Sequence, residues 1–170
     1  MRRVATMLTA LALVASAASL SAQNPNFAGK WTLQVDPNAA AAGGGGGGGR
    51  GGGRGGGGGQ FCGMECTVTQ DAATLTVSRT TQAGEIKSTY KLDGTESKNT
   101  MSFGGNSIDQ LSTAKWDAGK LTITTKQDMN GTAVTSTTIL SLANGDLVVE
   151  RTAPGRDGAP ATTKQTYKKS

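Results

Sequence analysis

From residue 66 onward the chain alternates apolar and polar residues with a period of two. The runs read CTVTQ (66–70), TLTVSRTT (74–81), EIKSTYKL (85–92), NTMSF (99–103) and LSTAKW (111–116), then KLTITTKQ (120–127), AVTSTTILSL (133–142), DLVVERT (146–152) and TTKQTYKK (162–169). Such alternation, rich in β-branched residues, puts one face of each run toward a core and the other toward water, which is the pattern of half-buried strands. Nothing after residue 23 shows a helical period. The breaks between runs are turn strings: QDAA, LDGT, WDAGK, DMNG, ANGD and GRDG. Asn144-Gly145 is the strongest of them, because both central residues of a type I′ hairpin turn need positive φ. With GKWTLQV (29–35) added, about ten strands are expected. They form an all-β, antiparallel up-and-down meander, and closure into a barrel of about 8–10 strands removes its exposed edges.

The alternation also sorts candidate chemistry onto faces. Leu75 and Val77 share a face with Arg79, and Leu147 and Val149 share one with Arg151. On the return strands Tyr90 falls on the face of Ile86 and Ser88, and Tyr167 takes the matching place in the last hairpin. Two arginines and two tyrosines on apolar faces suit a ligand carboxylate, which a guanidinium fork meets with two parallel hydrogen bonds. Arg79, Tyr90, Arg151 and Tyr167 are therefore the candidate ligand-binding residues. The competing reading is that both arginines sit near strand ends and reach water past the apolar stripe. Trp31, Trp116 and Phe103 read as core or barrel plugs.

Upstream of the strands the texture changes twice. Residues 1–22 carry a basic start (Arg2, Arg3), an apolar stretch and small residues up to Ala22, the anatomy of a secretory signal peptide with cleavage near Ala22. The apolar run is shorter than the ~20 residues a membrane span needs. Residues 23–42 hold the first strand, 43–60 are almost pure glycine and read as a disordered loop, and 61–170 complete the barrel with the first strand. Arg50 and Arg54 give the glycine tract the look of an RNA-binding segment. Without Arg2 and Arg3, however, fifteen basic residues face twelve acidic ones. The tract also lacks the aromatics that stack on bases, so no nucleic-acid partner is expected.

The chain has no histidine, which removes the commonest general base and His-based metal sites. Asp71, Asp93, Asp117, Asp128, Asp146 and Asp157 all lie in turn strings, where Asp bonds its local backbone. No phosphate-loop, dinucleotide or nucleophile motif occurs, so neither an enzyme, a cofactor nor a metal is expected. Cys62 and Cys66 are the only thiols, and an exported pair is usually a disulfide. On a straight strand their Cα atoms would lie about 13 Å apart, beyond the roughly 7 Å a disulfide spans. Pairing thus requires CGMEC to bend at Gly63; free or intermolecular thiols are the alternative.

The string NPNFAGKWTLQVDP, with YKLDGTES, AKWDAGKL and VERTAPGRDG, resembles small exported bacterial proteins of lipocalin-like, calycin-group type. The resemblance implies that Gly29 and Trp31, its Gly-x-Trp motif, close one end of a barrel, and that the interior holds a small apolar or amphipathic ligand. A barrel filled by its own side chains, acting as a structural or protein-interaction module of the cell envelope, is the alternative. The later motifs of that group have no counterpart, and the chain ends in a strand run.

Overall fold

In a computed structural model, residues 24–35, 61–81, 84–103, 106–129, 131–155 and 157–170 are described. The expected signal peptide (1–22) and glycine loop (43–60) lie outside them. The described residues form ten strands: β1 Gly29–Leu33, β2 Glu65–Gln70, β3 Thr74–Thr81, β4 Gly84–Lys91, β5 Glu96–Phe103, β6 Asn106–Asp117, β7 Lys120–Met129, β8 Thr132–Ala143, β9 Asp146–Pro154 and β10 Pro160–Lys169. No helix occurs among them, and hence none long and apolar enough to cross a membrane. The strands make one antiparallel sheet in the order β4-β3-β2-β1-β10-β9-β8-β7-β6-β5, a meander joined through the pairing of the first strand with the last.

The two edge strands, β4 and β5, follow each other in the chain and meet, so the barrel is nearly closed. No backbone ladder joins them. Instead β5 side chains reach the β4 backbone: Thr89 N–H donates to Asn99 Oδ1 (2.8 Å), Asn99 Nδ2 donates to the Thr89 carbonyl (3.1 Å), and Lys91 N–H donates to Ser97 Oγ (2.8 Å). Asn99 and Ser97 are accordingly buried.

Turn chemistry follows the expectation at four of the six turn aspartates and at the positive-φ positions. Asn144 and Gly145 have φ of 54° and 88°, and Ala118 and Gly119 have 45° and 77°. Asp71, Asp93, Asp128 and Asp157 accept hydrogen bonds from turn N–H groups at Ala73, Thr95, Gly131 and Ala159. The bond from Ala73 N–H holds Asp71 below the usual carboxylate range, and the Thr95 hydroxyl, ahead of its own N–H, does the same for Asp93. Asp117 and Asp146 flank two-residue turns and show no such bond.

The lower end, where β2, β4, β6 and β8 finish, holds the apolar core. Phe27, Trp31, Leu75, Leu121, Leu140, Leu147 and Tyr167 are fully buried there. Residues 25–28 cross this end, fixed by Gln70: Phe27 N–H donates to Gln70 Oε1 (2.8 Å), and Gln70 Nε2 donates to the Pro25 carbonyl (3.1 Å). Phe27 stacks on Trp116 with centroids 5.6 Å apart. Trp31 Nε1 donates to the Phe27 carbonyl (2.8 Å), which satisfies the one polar atom of a buried indole. The Phe103 side chain lies outside the described residues.

Candidate functional site

Inward-facing rows change character partway up the barrel. On β3, Leu75 and Val77 lead to Arg79, and on β9, Leu147 and Val149 lead to Arg151. Leu121 and Ile123 lead to Thr125 on β7, Leu140 leads to Thr138 and Ser136 on β8, and Ala114 leads to Ser112 and Gln110 on β6. Register makes this a layer: Ser112 lies opposite Thr125, Thr125 opposite Ser136, and Thr138 opposite Arg151. The lower half is therefore dry and the upper half lined with hydroxyls, an amide and guanidinium groups. Within that upper half lies a cavity of about 50 Å³.

Three of the four sequence-predicted ligand residues, Arg79, Tyr90 and Arg151, line this cavity. Arg79 and Tyr90 come from the β3–β4 hairpin, and Arg151 from β9, far along the chain. The two hairpins match: Leu75 pairs with Tyr90 and Leu147 with Tyr167, and in each the arginine stands four residues above the leucine. Tyr167 is not among the lining residues; it is fully buried in the core, and its hydroxyl donates to Gln165 Oε1 (3.0 Å). Burial raises both tyrosine hydroxyls, Tyr167 to about 12, while the Arg79 charge pulls each partly back. Burial also lowers Arg79 and Arg151 from the ordinary arginine value, yet a guanidinium stays charged at neutral pH.

Electrostatically the layer is one-sided. Every carboxylate among the described residues stands on an outward strand position or in a turn; the ion pairs Lys30–Glu65, Lys98–Asp109 and Lys164–Glu150 all lie outside. No carboxylate among the described residues pairs with Arg151. Among the described residues no cluster of three or more His, Cys, Asp or Glu stands ready for a metal ion.

Gly29 and Trp31, the expected closing pair, stand on β1 at the lower end. Trp31 is buried, and Lys169 Nζ lies 5.7 Å from its ring centre. Gly29 has φ of 151°, and a Cβ there would meet Lys169 Cε at 2.6 Å. Cys62 and Cys66 form a disulfide with Cα atoms 4.9 Å apart. The bend that brings them together passes through Gly63 at φ 68°. Sequence reading missed Phe61, whose ring stacks on Tyr90 (centroids 6.1 Å apart) and walls the cavity. It also missed Gln110, Thr125, Ser136 and Thr138. Their signal was present, since each continues an inward period-two row, but Ser and Thr at such positions read as ordinary strand formers.

These features define an all-β, nearly closed barrel: ten antiparallel strands, one plugged end, and a polar pocket toward the other. Among solved structures the chain is similar to the zebrafish ileal bile acid-binding protein complexed with cholic acid, with a TM-score of 0.52 at 18% identity, over 85% of this chain and 98% of that one. It also matches apo lipid binding protein 8 of Caenorhabditis elegans, with a TM-score of 0.49 at 15% identity, over 85% of this chain and 95% of that one. No family model and no curated protein sequence matches the chain.

Proposed function

We propose that this protein is an exported, non-enzymatic binding barrel that holds a small amphipathic ligand, its anionic end at Arg79 and Arg151. The observation that carries this reading is the cavity itself, into which two strands deliver guanidinium groups while every described carboxylate stays outside. Tyr90 and the hydroxyl layer supply further hydrogen-bonding groups; Val77 and Met101 supply the apolar contact. The shared barrel of a protein crystallised with cholic acid, itself a carboxylate, supports the same chemistry. Export rests on the basic-apolar-small anatomy of residues 1–22, and the Cys62–Cys66 disulfide agrees with an oxidising compartment.

Native mass spectrometry of protein purified from its own source tests the proposal. A co-purifying anionic small molecule, lost in Arg79→Ala and Arg151→Ala, is the expected result. A wild-type chain that arrives empty and retains no added carboxylate overturns it. That outcome would favour the second reading, a filled barrel serving as an envelope interaction module, for which the small cavity is the supporting observation.

A further inference from the structure

Packed apolar side chains lie beneath the cavity, and among the described residues the Phe61 ring forms part of its wall. Trp31, Leu75, Leu121, Leu140 and Leu147 close it off from the lower end. Phe61 stands in its wall, stacked on Tyr90 at an interplanar angle of 23°. Phe61 belongs to no strand, so no ladder of backbone hydrogen bonds holds it. What holds it is its neighbour: Cys62 is fully buried and tied to Cys66, an inward residue of β2 buried to 3% exposure. The disulfide therefore makes a short hook that fixes Phe61 in the cavity wall.

Volume then decides what fits beneath. At roughly 10–15 Å³ for each water-sized group, 50 Å³ takes about three to five such groups. Sites for lipid- or drug-sized ligands run to ~300–1,000 Å³. The lining asks for hydrogen bonds and negative charge: Arg151 and Arg79 flank the hydroxyls of Thr138 and Ser136, and no described acid enters.

We infer that this cavity takes a compact oxyanion, of the size of a short-chain carboxylate, and that Phe61, held by the Cys62–Cys66 hook, is the residue that sets this size limit. The inference rests on the reading that the cavity is the binding site, and narrows its ligand class. A long acyl chain or a steroid enters only when the ring has moved.

Calorimetric titration of the oxidised chain with acetate, butyrate, sulfate, octanoate and palmitate tests it. Acetate, butyrate and sulfate should bind, with octanoate and palmitate weaker by about tenfold or more, the order of discrimination that pocket shape supplies. Phe61→Ala, the milder Phe61→Leu, and reversible reduction of the wild-type disulfide should each raise octanoate affinity relative to acetate by about tenfold. Three independent perturbations guard against a variant that merely fails to fold. Affinity that climbs with chain length in the oxidised wild type overturns the inference. So does an unchanged octanoate-to-acetate ratio when the ring or the disulfide is removed. If long chains bind and Arg151→Ala weakens them, the binding-barrel reading survives while the size limit fails. If no probe binds at all, both fall.

Discussion

Single residues in this barrel carry identifiable strain and charge. Ala118 adopts φ of 45° in a two-residue turn that otherwise matches Asn144-Gly145. A left-handed conformation costs an L-residue with a Cβ about 1–2 kcal/mol, and Asn tolerates it best among non-glycine residues. Ala118→Asn should therefore stabilise the chain by about 0.5–1 kcal/mol and raise the melting temperature by a few degrees. An unchanged or lowered melting temperature in scanning calorimetry counts against the turn argument. Tyr167 gives the pH dependence. Its hydroxyl is pushed up to about 12 by burial, whereas an unfolded tyrosine titrates near 10. Between these values the folded chain keeps a proton the unfolded chain has lost, so stability falls as pH rises through that window. Tyr90, shifted in the same direction, adds to the effect. Tyr167→Phe should show a shallower alkaline loss in urea midpoints measured from pH 9 to 12. A slope equal to wild type would remove Tyr167 from the explanation.

Between elements, the contact that depends most on side chains is the seam between β4 and β5. Nine neighbouring strand pairs are joined by ladders; the tenth is bridged by Asn99 and Ser97. Asn99 both accepts from and donates to the Thr89 backbone. Removing it leaves two part-buried backbone groups to find new partners, a loss of about 1–3 kcal/mol. Asn99→Ala should lower the denaturant midpoint accordingly, with the Thr89 amide exchanging hydrogen faster than amides on β7 and β8. Uniform exchange across the sheet would show that the seam closes by other means. The seam was not legible in the sequence. NTMSF was read as a strand with ordinary alternation, and nothing in the string says that Asn99 faces a gap rather than a ladder partner.

Across the whole molecule, function depends on how far each strand projects beyond its apolar rows. β1 and β2 have five and six residues, whereas β6 and β8 have twelve. The inward rows are apolar in the lower half, where Phe27 and the strand core fill the barrel. In the upper half they turn polar, where the hook brings Phe61 and Cys62 back inside. The result is one molecule with a self-filled base and a small charged pocket near its mouth.

The sequence alone determined the strands, their turns and the inward placement of Arg79 and Arg151. These follow from local rules: a period of two assigns each side chain to a face, and positive-φ residues mark hairpins. The requirement that two cysteines four apart bend at Gly63 in order to pair was legible for the same reason. Only the tertiary structure decided which inward residues meet. Arg79 and Tyr90 already share the β3–β4 hairpin, but Arg151 joins them because the first and last strands pair and close the sheet, a long-range event that spacing along the chain does not encode. The same packing buried Tyr167 outside the cavity lining, put Phe27 across the base and set Phe61 in the pocket wall. Those outcomes depend on volume filled from several strands at once, which no single stretch of sequence contains.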